Sequence, residues 1–189
     1  MAPAALSDYQ KKKLAHVFNT FYDYNHDGVI EWKDFQETIE KVCKLHHWEL
    51  NGSKHKSGLA VLRTVWDGLQ LLADKNKDLQ VTKEEWFTMW SECLDQYRKN
   101  QTLPDWQTNY MNFFFEVTDT SGDNVIDKEE YTIVYETFGL SKDACHNAFK
   151  VISDNGGKLV TREEFKNLWI QFSVSDNPSD RGNSLFGVL

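Results

Sequence analysis

Asp119-Thr120-Ser121-Gly122-Asp123-Asn124-Val125-Ile126-Asp127-Lys128-Glu129-Glu130 is the stretch that decides how this chain is read. It places side-chain oxygens at loop positions 1 (Asp119), 3 (Ser121), 5 (Asp123) and 9 (Asp127). The backbone carbonyl of Val125 falls at position 7, and Glu130 at 12 can give two oxygens at once. Six or seven oxygens in that order suit a hard divalent cation held in a helix–loop–helix calcium hand. Ile126 at position 8 and Tyr131 just after the loop complete the unit. Twelve consecutive positions are constrained, so the pattern is specific.

The pattern recurs, and the period organises the chain. An earlier copy runs through Asp23, Asn25, Asp27, Val29, Glu31 and Asp34, and another through Asp74, Asn76, Asp78, Gln80, Thr82 and Glu85. Around them, apolar residues at helical spacing predict flanking helices: Leu14, Val17, Phe18 and Phe21; Phe35, Ile39 and Val42; Leu62, Val65, Trp66 and Leu69. Trp86, Met89, Trp90, Cys93 and Leu94 continue the series, followed by Trp106, Tyr110, Phe113, Phe114 and Val117. A polar connector is expected at about 46–57, Pro104 in the first turn of the third entering helix, and a helix stop at Gly139. A fourth loop aligns with Ser153 at position 1, Asn155 at 3, Gly157 at 5, Lys158 at 6, Val160 at 8 and Glu164 at 12. It lacks two carboxylates and has gained a lysine, so it is not expected to bind calcium. The fold class expected is all-α: two EF-hand pairs packed into one compact globule. Short β ribbons should join the paired loops through Ile30, Val81, Ile126 and Val160. The expected division is residues 1–100 for hands one and two, 101–172 for hands three and four, and 173–189 for a tail.

Chemistry separates the loops further. Loop one ends in Asp34, one methylene shorter than glutamate, which makes bidentate reach harder; magnesium is expected to compete with calcium most at loop 23–34. Position 6 needs a left-handed backbone. Gly28 accepts it freely and Asn124 tolerates it, whereas Leu79 carries about 1–2 kcal/mol of strain. Loop two also has three carboxylates against four in its neighbours, so it should be the weakest of three calcium sites.

Composition bounds the rest. The formal charge of −8 argues against nucleic acid as a partner, and three bound divalent cations would bring it to about −2. Metal binding and compaction should therefore be coupled. Cys43, Cys93 and Cys145 are odd in number and widely spaced, which predicts buried reduced thiols in a cytoplasmic protein. Cys43, His46 and His47 at i, i+3 and i+4 read as a half-buried thiol beside solvated histidines rather than a zinc site. No signal peptide or transmembrane run is expected, and Ala2 excludes myristoylation. The patterns at Asn51 and Asn100 are read as chance glycosylation matches. No P-loop is present, Asn155-Gly-Gly-Lys158 being too short, and no nucleophile–base arrangement suggests an enzyme.

Phe18-Asn-Thr-Phe-Tyr-Asp23, His26-Asp-Gly-Val-Ile-Glu-Trp32, Val81-Thr-Lys-Glu-Glu-Trp86, Val160-Thr-Arg-Glu163 and Gly182-Asn-Ser-Leu-Phe-Gly187 give the chain a wider resemblance. With Asp119–Asp123, they make nearly the whole chain resemble the invertebrate sarcoplasmic calcium-binding proteins, most closely the calexcitins. The resemblance implies four hands of which three bind metal, in a compact helical monomer of the cytoplasm. For calexcitins it further implies neuronal calcium signalling, with GTP and a membrane channel as proposed partners. A buffer without a regulated target is the alternative. Three methionines and rigid aromatic stripes favour it, because adaptable sensor grooves are often methionine-rich. A luciferin-binding or photoprotein relative is a further reading. All seven tryptophans except Trp32 and Trp48 fit inward stripes, however, and the photoprotein pattern ends in proline where this chain has Leu189. The apolar end Leu185–Leu189 is expected to dock in an apolar groove between the two halves.

Overall fold

Ser7 starts the first helix by a reciprocal exchange: its hydroxyl accepts from the Gln10 N–H, and its own N–H donates to the Gln10 side chain, both at 3.1 Å. The structure, a computed structural model, describes residues 5–187. Met1–Ala4, and Val188 and Leu189 of the apolar end, lie outside the described residues. Helix α1 (Asp8–Val17) passes into a π-helical turn at Phe18–Tyr22. There follow β1 (Val29–Ile30), α2 (Trp32–Leu45), α3 (Ser53–Ala73), β2 (Val81–Thr82), α4 (Lys83–Asn100) and α5 (Asp105–Thr118). The second half adds β3 (Val125–Ile126), α6 (Lys128–Thr137), α7 (Lys142–Ile152), β4 (Val160–Thr161), α8 (Arg162–Val174) and a 3-10 turn at Arg181–Ser184. The class is all-α with two small antiparallel ribbons. In them Ile30 faces Val81 and Ile126 faces Val160, the position-8 residues.

The chain divides into two units, Met1–Tyr110 and Met111–Leu189. In the first, Phe18, Tyr22, Phe35, Trp66, Trp86, Trp90, Trp106 and Tyr110 are buried together. Rings meet edge-on or tilted, as for Phe18 and Trp86 at 5.9 Å and Tyr22 and Tyr110 at 4.9 Å. Two of their polar ends are anchored to backbone: the Trp86 indole donates to the Leu14 carbonyl, and the Tyr110 hydroxyl to that of Phe21 at 2.8 Å, whereas the buried indole N–H groups of Trp90 and Trp106 find no acceptor. In the second unit, Phe114, Phe115, Tyr131, Tyr135, Phe165, Trp169 and Phe172 form the core. Five of the seven tryptophans are buried, and Trp32 and Trp48 are half-buried. All three cysteines are free and buried, and burial raises each thiol, that of Cys93 to about 12.

Three local expectations shift. The connector between hands one and two is shorter than 46–57, because Ser53–Ser57 already form the first turns of α3. Ser53, Lys54, Lys56 and Ser57 face water and His55 turns inward, with no helix breaker among them, and Gly52 supplies the extended entry. Pro104 stands just before α5 and its carbonyl accepts from the Gln107 N–H, a one-residue difference in helix start. His46 caps α2 and stacks on Trp48, while His47 is exposed with φ 55°, so the two histidines leave the helix face that holds buried Cys43. Gly139, at φ 92°, ends α6: its N–H donates to the Glu136 carbonyl, and the Leu140 N–H donates to that of Tyr135.

Leu185 and Phe186 are buried within the second unit. The Phe186 ring lies 4.7 Å from Phe172, 5.0 Å from Trp169 and 6.2 Å from Phe114, and the Tyr131 hydroxyl donates to the Leu185 carbonyl at 2.9 Å.

Candidate metal centre

Each of the first three loops is bent around its position-1 carboxylate. Asp23 accepts from the N–H groups of Asp27 and Gly28, Asp74 from those of Asp78 and Leu79, and Asp119 from those of Gly122 and Asn124, all at 2.9–3.2 Å. The position-5 carboxylates then hold the position-7 N–H: Asp27 to Val29, Asp78 to Gln80, Asp123 to Val125. Position 3 contributes in two loops, where the Asn25 and Asn76 side-chain oxygens accept from the position-5 N–H. These short-range bonds point carboxylate oxygens inward before any ligand is considered.

Position 6 is left-handed in all three loops, with φ of 94° at Gly28, 67° at Leu79 and 66° at Asn124. Leu79 is also 63% exposed, so no packing compensates its strain. Position 4 is left-handed as well, at His26, Lys77 and Gly122. Sequence reading missed that demand; only Gly122 advertises it.

The position-12 carboxylates close the loops. Asp34 accepts from Glu31 N–H through one oxygen, and from Tyr24 and Asn25 N–H through the other. Glu85 takes the Thr82 N–H and hydroxyl. Glu130 takes the Asp127 N–H through one oxygen, and the Ser121 N–H with the Thr120 hydroxyl through the other. The same residues make the capping boxes that begin α2, α4 and α6.

Asp34 and Glu130 differ electrostatically. Burial pushes Asp34 up to about 6, helped by the charge of Asp23 and opposed by its three backbone donors. Glu130 also feels burial, but the bonds from Asp127, Ser121 and Thr120 outweigh it and hold the carboxyl below its ordinary value. The longer side chain reaches its donors from a less confined place.

Whether these residues fit a divalent cation follows from their donors. Every side chain at positions 1, 3, 5, 9 and 12 carries oxygen, as a hard cation requires. Among the described residues no three Asp, Glu, His or Cys side chains already form a cluster able to hold an ion. The donor set does not depend on such a cluster, since backbone carbonyls and the oxygens of Asn25, Asn76, Gln80, Thr82 and Ser121 complete it. Loop four is built otherwise. The Ser153 hydroxyl donates to the Phe149 carbonyl, Lys158 N–H returns to the Ser153 carbonyl, and Asp154, Asn155 and Gly156 are left-handed in succession. Lys158 itself is exposed.

No protein-family model matches the chain. The sarcoplasmic calcium-binding proteins I, III and IV of Branchiostoma lanceolatum are 34% identical to it over 182 residues, covering 96% of this chain and 98% of theirs. The chain belongs to the sarcoplasmic calcium-binding protein family. Calexcitin-1 of Caenorhabditis elegans is 33% identical over 183 residues, with 94% of this chain and 86% of that one covered. The solved structure of an amphioxus sarcoplasmic calcium-binding protein matches with a TM-score of 0.84 at 32% identity, over 96% of this chain and 98% of that one. Calcium-loaded apo-aequorin, at a TM-score of 0.66 and 19% identity over 91% and 94% of the two chains, shares the fold.

Three residues around the loops of this sarcoplasmic calcium-binding protein relative escaped sequence reading. Gln70 donates to Asp74 from one turn before the loop, at 3.2 Å. Thr120 braces Glu130, and Arg181 binds Glu164. Gln70 and Thr120 lie near enough in sequence that a search for donors beside each carboxylate would have found them. Arg181 carries no local signal.

Proposed function

We propose that this chain binds calcium through three loops, 23–34, 74–85 and 119–130, and not through 153–164. The observation that carries this reading is the shared construction of the three: an inward position-1 carboxylate, a left-handed position 6 and a position-12 carboxylate closed over the loop. Asp23, Asn25, Asp27, Glu31 and Asp34 with the Val29 carbonyl would hold the first ion. Asp74, Asn76, Asp78, Thr82 and Glu85 with the Gln80 carbonyl would hold the second. Asp119, Ser121, Asp123, Asp127 and Glu130 with the Val125 carbonyl would hold the third. Magnesium competes most at loop one, where Asp34 is short and confined. The calcium-binding names of the relatives support the ion. Equilibrium dialysis at micromolar free calcium should give three ions per chain, and none bound would sink the proposal.

The geometry favours a calcium and magnesium buffer, and likeness to the family supports reading it as a cytoplasmic monomer. Met89 and Met111 are buried, and both cores are built of interlocked rings rather than an adaptable groove. Signalling through a regulated target is the second reading, favoured by likeness to calexcitin-1. No helix among the described residues is long and apolar enough to cross a membrane. A dye for exposed apolar surface separates the readings: a large calcium-specific rise in physiological magnesium supports a sensor, and little change supports a buffer.

A further inference from the structure

The fourth hand keeps its position-12 carboxylate but uses it differently. In α2, α4 and α6 the position-12 side chain returns to the backbone N–H at position 9. At the start of α8 only half of that exchange is present: Thr161 accepts from Glu164 N–H. The Glu164 carboxylate instead binds the Arg181 guanidinium, whose other arm donates to the Ile152 carbonyl at the end of α7. One cation thus ties the last residue of the entering helix to the first turn of the exiting helix.

Arg181 is delivered there by a fixed segment. Gly182 lies so close to α8 that an added Cβ would stand 2.5 Å from the Leu168 carbonyl and 2.9 Å from the Phe172 nitrogen. Its N–H donates to the Gln171 side chain at 2.7 Å, and the Asn183 amide donates to the Asn177 carbonyl at 2.7 Å. Beyond it, Leu185 and Phe186 are buried. Lys158, the basic residue inside the loop, is exposed and takes no such place.

We propose that the Arg181 guanidinium is the resident cation of the fourth hand, a positioning residue for loop three. It joins Ile152 to Glu164 and so holds α7 and α8 at the spacing that sets β4. The ribbon then carries that setting to loop three, since Val160 pairs with Ile126 and Thr161 with Val125. The inference rests on loop three being a calcium site.

The test uses the full chain with Asp23→Ala and Asp74→Ala, so that loop three alone is titrated. Added to that background, Arg181→Gln should weaken calcium binding roughly three- to tenfold. Glu164→Gln should do the same, and the double variant should lose no more than either single one. Arg181→Lys, which keeps the charge but not the fork, should lose less than Arg181→Gln. It also serves if Arg181→Gln does not fold. Unchanged affinity in both single variants, or losses that add in the double one, would overturn the proposal. If the background chain binds no calcium at all, the three-site reading has failed. The same cycle is then scored on urea midpoints of the metal-free chain, where additive effects again overturn it.

Discussion

Loops three and four sit at the two ends of one ribbon, with Ile126 against Val160, yet they are held shut by opposite means. In loop three the Glu130 carboxylate collects N–H groups and a hydroxyl from its own loop and so closes over that loop. In loop four the Glu164 carboxylate faces outward to an arginine supplied from seventeen residues further along the chain. Both hands keep the helix–loop–helix frame, because the frame needs only a satisfied position-12 carboxylate and a paired position 8. Ligand binding needs more: excess negative charge that the fold does not neutralise by itself. On the three-site proposal, the difference between loop three and loop four therefore lies in who supplies the cation.

The largest way to break this comparison is to remove what both hands lean on. Phe186→Ala should cost about 3–5 kcal/mol in the second unit, because the ring fills space among Phe114, Trp169 and Phe172. Denaturant unfolding of the metal-free chain measures it, and removal of residues 184–189 should lower thermal stability likewise. A change under about 1 kcal/mol would mean the ring is dispensable.

Next in size, Glu130→Gln should weaken loop three by at least about 100-fold, more than losses typical of residues that merely support a ligand. Titration calorimetry should then count one calcium fewer. Glu164→Gln should leave the count unchanged; loss of a whole site there would erase the distinction between the two loops.

Acidity sharpens the contrast between loop ends in a third place. The Asp34 carboxyl is raised from 3.8 to about 6 in the metal-free fold. A raised value means its stabilising contribution is fully present below about 3.8 and is lost as pH climbs through about 6. Glu130, held below its ordinary value, acts in the opposite sense. In chelator, urea midpoints should therefore fall between pH 4 and 6 by an amount worth on the order of 1–2 kcal/mol, and Asp34→Asn should flatten that slope. A slope that survives the substitution assigns it to another group.

The smallest effect belongs to loop two, the intermediate case. Leu79 holds a left-handed conformation in the open, so Leu79→Gly should relieve about 1 kcal/mol and tighten calcium there about fivefold. Gly28→Ala in loop one should do the reverse. Weaker binding by Leu79→Gly would show that its side chain rigidifies the loop more than it strains it.

How much of this was legible in sequence follows the range of each interaction. The left-handed position 6, the inward turn of Asp23, Asp74 and Asp119 and the five buried tryptophans arise within a dozen residues or along one helix face, and the ribbon partners, though distant in sequence, follow from matching position 8 of each repeat. The start of α3 at Ser53 was not legible, since a polar segment without breakers suits a helix and a connector equally. Nor was the opposite titration of Asp34 and Glu130, which depends on how deeply each loop end is packed.

By itself the sequence determined where a cation could be held, because oxygen donors at positions 1, 3, 5, 7, 9 and 12 are a local arrangement. Tertiary structure alone decided what Glu164 does and where Phe186 goes. Both depend on a chain end returning to a distant helix pair, and buried area and charge pairing across that distance leave no periodic trace in the order of residues.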